Sequence, residues 1–174
     1  SIPGIRLHRL LAERLETLGV RIETGMEVIG YHDGDGRMQW VETETSARPL
    51  RHRAATFFVA TGGVLGGGFV GDVEGQLREV VFDLPLTPQQ NRNEWFHSEF
   101  LDPRGQPVFQ AGVQVNHAFQ PINPAGDIVY NNLWSAGRIP ANCDPIRERS
   151  LEGVCIATGR AAAQSLVAST NGHV

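Results

Sequence analysis

The chain has 174 residues, 41% hydrophobic and 20% charged, a composition suited to about one domain built on one packed core. Its 15 basic and 19 acidic residues, net −4, are dispersed and form no basic stripe, so nucleic acid is not an expected partner. No stretch approaches the roughly 20 apolar residues that cross a bilayer and the N-terminus lacks the charged start and apolar run of a signal peptide, so the expected location is the cytoplasm.

The chain opens on Ser1-Ile-Pro-Gly-Ile, without an initiator Met, and runs at once into a helix, which predicts a fragment of a longer protein. Over residues 5–18, Leu7, Leu10, Leu11, Leu15 and Leu18 fall at three- and four-residue spacings, the pattern of an amphipathic helix that packs on a sheet. Gly19 supplies a left-handed helix end, and the alternation in Val20-Arg-Ile-Glu-Thr predicts a half-buried strand. A second strand is expected over residues 27–31. Asp33-Gly-Asp-Gly then signals a turn, the run from Arg37 is strand-like, and residues 48–53 read as the edge strand of a β-meander. Thr56-Phe-Phe-Val-Ala is a continuous apolar run suited to a parallel strand buried on both faces, and Thr61-Gly-Gly closes it. Residues 62–110 are rich in Gly, Pro, Asn and Gln without periodicity, and form either a small inserted subdomain or a long ordered loop. A strand pattern resumes at Gly112-Val-Gln-Val-Asn. Asn131-Asn-Leu-Trp-Ser-Ala-Gly reads as another short buried strand, and residues 151–168 as a helix whose small residues allow close approach to a sheet.

Cys143 and Cys155, the only cysteines, show neither CxxC nor zinc-site spacing and read as reduced thiols. His8, His32, His52, His97, His117 and His173 fall at no metal-ligand spacing, so no metal is predicted.

The succession of amphipathic helix, glycine, strand, hairpin, apolar strand ending Ala60-Thr-Gly-Gly, insert, strand ending Ser135-Ala-Gly and small-residue helix resembles the FAD-dependent oxidoreductases of the glutathione-reductase-like dinucleotide-binding fold, including the fumarate reductase flavoprotein branch. More narrowly, Ser1-Ile-Pro-Gly-Ile-Arg-Leu-His, the stretch from Ala60 to Val70, and Asn132-Leu-Trp-Ser-Ala-Gly running through Asp144-Pro-Ile to Gly153-Val-Cys are similar to the B-subunit family of anaerobic glycerol-3-phosphate dehydrogenases.

The resemblance implies an α/β fold, a partial FAD/NAD(P)-binding (glutathione-reductase-like) domain with a β-meander at about 20–53. Residues 1–62 and 111–174 would form the C-terminal part of that domain, and residues 63–110 a cap-like, substrate-side insert of α+β or loop character. It implies flavin, FAD or FMN, in the full-length protein and absent from this fragment. The implied partners are the catalytic flavoprotein (A) subunit together with the membrane-associated iron–sulfur (C) subunit. The three would oxidise glycerol 3-phosphate to dihydroxyacetone phosphate and pass electrons to the quinone pool, from a cytoplasmic position held at the inner membrane through the partners. Cofactor contacts fall on Thr61, Gly62, Gly63, Gly137, Asp144 and Gly153, with no catalytic residue assigned. A homo-oligomer of the fragment, covering apolar surface left exposed around Val59, Leu133 and the C-terminal helix, is also expected.

The chain departs from the family in three places. No N-terminal Gly-x-Gly-x-x-Gly loop leads it, Arg147-Glu-Arg-Ser-Leu-Glu-Gly is poorer in glycine than the family's turn, and Arg138 stands where many relatives place a carboxylate. Read from residues alone, Gly62 and Gly63 are either a tight strand exit or a cofactor turn, and Gly66, Gly67 and Gly68 either a hinge or a flavin-side loop. Asp144 either faces a cofactor or bonds to backbone amides ahead of the helix. His97, His117, Arg92 and Arg104 are either solvated surface or cations for a substrate phosphate. On function, two alternatives to the B-subunit reading stand: another flavin oxidoreductase on the same scaffold, or a non-catalytic scaffold protein of the complex.

Overall fold

The computed structural model describes residues 2–88, 91–150 and 152–171, so Leu151 at the expected start of the last helix, and His173, lie outside the described residues. The described residues form a mixed α/β fold with one three-stranded and three two-stranded sheets.

The meander forms between residues 28 and 53. Strand β1 (Val28–Gly34) pairs antiparallel with β2 (Arg37–Thr43), and β2 with β3 (Leu50–Arg53). The hairpin closes through Asp35 and Gly36, both at positive φ (53° and 68°), the two-residue turn whose twist matches that of the flanking strands. The strand expected at residues 20–24 does not form. Alternation specifies a strand only where a neighbour takes up its backbone groups, and here Val20 and Ile22 stay exposed.

Strands β4 (Phe57–Val59) and β9 (Leu133–Ser135) lie side by side and parallel, as their matching apolar character and glycine exits predict. Phe57, Val59 and Leu133 point into the main core, while Trp134 and Ala136 turn the other way onto Ala162 and Leu166 of α3 (Gly153–Asn171). Val59 and Leu133 are therefore buried, so the surface expected to be left exposed around them is not, while Phe58, expected to be buried, is 44% exposed. Helix α1 (Ile2–Thr17) forms and ends at Gly19 (φ 77°) as expected, but buries none of its residues. Its expected packing on the sheet is therefore wrong: Leu10 is 65% exposed and Leu18 62%.

The aperiodic region between residues 63 and 110 contains a short helix α2 (Gly63–Gly66) and a small antiparallel hairpin, β5 (Phe69–Gly71) with β6 (Leu77–Glu79). Strand β7 (Leu86–Thr87) pairs with β8 (Gly112–Val113), all that forms of the strand expected from residue 112 onward. Phe69, Leu77, Phe82, Leu84, Leu86 and Val108 from this region share one core with Met38, Val59, Leu133 and Ile139. Glu79 is buried with no cation paired to it among the described residues, and its carboxylate accepts the N–H groups of Val81 and Phe82 (3.1 and 2.7 Å).

Candidate functional site

At the C-terminal ends of β4 and β9 the chain turns twice through glycine. After Val59 the backbone passes through Gly62 (φ 90°) and Gly63 (φ 52°) into α2. This loop is tight because Gly66 N–H donates to Gly62 O and Gly68 N–H to Gly63 O, each at 2.8 Å. Gly63 also lies against the exit of β9. A Cβ there would stand 2.7 Å from the carbonyl oxygen of Arg138, so only glycine lets the two strand exits approach this closely. Thr61 Oγ1 is buried under Gly68 with no hydrogen-bond partner.

The second exit, Gly137 (φ 74°), is tied to α3. Gly137 N–H donates to Thr158 Oγ1 (2.8 Å), and that hydroxyl donates in turn to Val154 O (2.7 Å). The turn after β9 is thus fixed to the first turns of the last helix. Thr158→Val removes the acceptor and leaves a partly buried N–H unpaired, so it is expected to lower stability by about 1–2 kcal/mol. Urea denaturation checks this, and a loss below about 0.5 kcal/mol would show that the tether is dispensable.

Between the two exits, Gly62, Gly63, Val64 and Leu65 face Arg138, Cys143 and Pro145 across a cavity of about 20 Å³, room for one water. Leu65, Arg138 and Pro145 continue, with Ile146 and Arg149, into a wider cleft of about 420 Å³. This cleft falls in the size range of ligand sites. Cys143 lines the cavity, and burial, and next the Glu148 carboxylate, push its thiol pKa up.

Of the six expected cofactor positions, Thr61, Gly62 and Gly63 lie together in the first exit and Gly137 forms the second. Asp144 takes the backbone role: its Oδ1 accepts the N–H groups of Ile146 and Arg147, both at 3.0 Å, and shapes the loop ahead of α3. Gly153 begins α3, and of the six only Gly62 and Gly63 line the small cavity while none lines the wider cleft. The cations considered in the insert are not gathered around a ligand space. Arg104 commits its guanidinium to Asp102 (2.7 Å), whose carboxyl those hydrogen bonds hold well below the usual carboxylate range. Arg147 and Arg149 border the clefts instead. The sequence shows them only as residues standing in a normally glycine-rich turn, and their position depends on how Asp144 folds that turn back.

The glycine pattern sought at the head of the chain is spelled by Gly66, Gly68 and Gly71, but it feeds β5, a strand. No helix N-terminus follows it to receive a phosphate, as the dinucleotide-binding turn requires. Among the described residues no helix is long and apolar enough to cross a membrane.

Residues 1–150 match the family described as FAD binding domain. Among curated relatives, the B subunit of a probable anaerobic glycerol-3-phosphate dehydrogenase of Halobacterium salinarum is 34% identical over 163 residues, covering 93% of this chain and 37% of the relative. The B subunit of the anaerobic glycerol-3-phosphate dehydrogenase of Yersinia pestis is 27% identical over 168 residues, 96% of this chain and 38% of the relative. That of Aliivibrio fischeri is 30% identical over 178 residues, with the same coverages of 96% and 38%. The chain spans less than two fifths of the length of these relatives. No solved structure matches it.

Proposed function

The chain belongs to the FAD-binding domain family, and from that premise we propose that it is the C-terminal part of the flavin-binding domain of a glycerol-3-phosphate dehydrogenase B subunit. The observation that carries this reading is the meeting of two glycine strand exits, Gly62-Gly63 and Gly137, at the carboxyl ends of adjacent parallel strands, where open α/β folds receive nucleotide cofactors. In this reading the domain is of the glutathione-reductase-like kind, and residues 63–110 lie on its substrate side. Glycerol 3-phosphate gives dihydroxyacetone phosphate, and electrons reach the quinone pool. The partners are the flavoprotein (A) and iron–sulfur (C) subunits, the latter holding the assembly at the inner membrane.

The residues at the strand exits fit one edge of a flavin. Leu65, Arg138 and Pro145 line the cleft of about 420 Å³, which is ring-sized, and Gly62 and Gly63 line the 20 Å³ cavity that opens beside it. Bound flavin, FAD or FMN, would supply two-electron acceptance. Gly62 and Gly63 would let the backbone approach the ring, Gly137 with Thr158 would set the distance between the second exit and α3, and Asp144 would hold the loop that closes the site, whereas Gly153, with nothing within 4 Å of an added Cβ, has no such role. Leu65 and Ile146 would exclude water.

We further propose that these 174 residues alone retain flavin weakly, because the Gly66, Gly68, Gly71 pattern runs into β5 and the helix that starts at the site, α2, spans only four residues, and that they self-associate through the apolar stripe of α1. Sedimentation and flavin titration test this together. A dimer or larger species without saturable flavin binding at micromolar concentration is expected, and a monodisperse monomer that binds FAD or FMN in that range would overturn it. For the full-length protein, a flavin band at about 450 nm that glycerol 3-phosphate bleaches only when the flavoprotein partner is present supports the B-subunit reading, and bleaching without that partner refutes it.

A further inference from the structure

Beside the flavin-side cleft, across Phe109 and Ile146, lies a second cleft of about 570 Å³. Its walls are apolar and aromatic. Phe96 and Phe109 meet edge to face with centroids 6.5 Å apart, and Phe100 and Leu101 lie at the rim, 89% and 83% exposed. Arg147 and Arg149 border the same space, and among the described residues neither makes an ion pair. Asp144 lies in its wall, 5% exposed. The turn amides occupy only Oδ1, and Oδ2 has no donor. Gly105 covers that oxygen: a Cβ on Gly105 would stand 2.5 Å from it. The loop carrying these groups is strained, with Asn142 at φ 62° and Arg149 at φ 51°, a cost that residues at ligand sites often bear.

A flat ring, a phosphate and a hydrogen-bond donor each find a complement in this cleft, and we propose that it binds a purine mononucleotide. The base lies among Phe96, Phe100 and Phe109, where an aromatic face takes a heterocycle without regard to its edge. Its exocyclic amine donates to Asp144 Oδ2 after a small outward shift of the half-buried turn at Gly105. The phosphate is held by Arg147 and Arg149, guanidiniums being the side chains best shaped for it. A flavin ring is disfavoured here, because its one pyrimidine N–H is flanked by two carbonyl oxygens that would face the carboxylate. The inference does not depend on the flavin reading of the neighbouring cleft.

Calorimetric titration of the 174-residue chain with AMP, adenosine, inorganic phosphate and FMN tests it. Saturable binding of AMP is expected, with adenosine and phosphate each at least about tenfold weaker, and Arg147→Ala or Arg149→Ala weakening AMP by about tenfold. Asp144→Asn keeps the oxygen that caps the turn but places an amide N–H₂ against the amine, so it too should weaken AMP while near-UV circular dichroism stays native. No AMP binding by the folded chain, adenosine binding as tightly as AMP, or FMN binding more tightly than AMP with the same dependence on Arg147 and Arg149 would each overturn the proposal. The last outcome would assign the cleft to flavin.

Discussion

Asn132→Ala is expected to destabilise the chain by about 2–5 kcal/mol, out of proportion to the few atoms removed. Asn132 is 2% exposed and stands just before β9. Its Oδ1 accepts Met38 N–H (2.8 Å), and its Nδ2 donates to Met38 O (2.8 Å) and to Ala55 O (3.1 Å). One amide thus closes both backbone groups of a buried residue in β2 and pins the approach to β4, joining the meander to the parallel pair. Alanine leaves the Met38 pair without partners where water does not reach, at about 1–3 kcal/mol for each group. The Ala55 carbonyl, on an exposed residue, still accepts from Arg37 Nη2 at 3.4 Å. Asn132→Asp separates geometry from size, since a carboxylate still accepts from Met38 N–H but faces Met38 O and Ala55 O with no donor. It should therefore be at least as damaging as alanine at neutral pH. Urea midpoints at constant m-value measure both, and an alanine variant within about 1 kcal/mol of the parent would show that the clamp contributes little.

That clamp marks the boundary of what could be read from residues alone. The hairpin at Asp35-Gly36 was legible because a two-residue positive-φ turn is a local requirement. The parallel pair was legible because Phe57–Val59 and Leu133–Ser135 are apolar on both faces, a property of sequence that needs both faces covered. The fate of α1 was not legible. Its leucine stripe specifies a helix with one apolar face, but whether a surface is free to receive that face is decided by α3 and the core, more than a hundred residues away. The same holds for residues 20–24, where alternation had no neighbour to pair with. Residues 63–110 carry no period because Phe69, Phe82, Leu84 and Val108 reach the core from short hairpins, turns and a 3-10 helix, which have none to show. At the site, the glycines announced a turn, but the cations that border the clefts, Arg147 and Arg149, were placed by a fold-back at Asp144 that leaves only an ordinary Asp-Pro in the sequence.

Gly63→Ala carries the second large effect, and it falls on the site as well as on the fold. Gly63 has φ 52°, in the left-handed region that L side chains rarely adopt, and its added Cβ would stand 2.7 Å from Arg138 O and 3.7 Å from Phe69 Cε2. The obstacle at Arg138 is backbone, so no side-chain rotation relieves it. Left-handed strain alone costs about 1–2 kcal/mol. Separating the two strand exits adds to that, for a loss of roughly 2–4 kcal/mol. Gly62→Ala is the control for strain with a milder contact: at φ 90° its Cβ would stand 3.3 Å from Gly66 Cα, against 2.7 Å from Arg138 O at Gly63, so its loss should be smaller by about 1 kcal/mol. The two should also differ at the cavity lined by Gly62, Gly63, Arg138 and Cys143. Moving the Arg138 backbone opens the burial that holds the Cys143 thiol pKa up, so Gly63→Ala should speed Cys143 alkylation at about pH 8 while Gly62→Ala leaves it close to the parent rate. Stability curves and alkylation followed by mass spectrometry read both effects. Equal stability losses for the two variants, with equal Cys143 reactivity, would mean that the approach of Gly63 to the Arg138 carbonyl does not hold the two exits together.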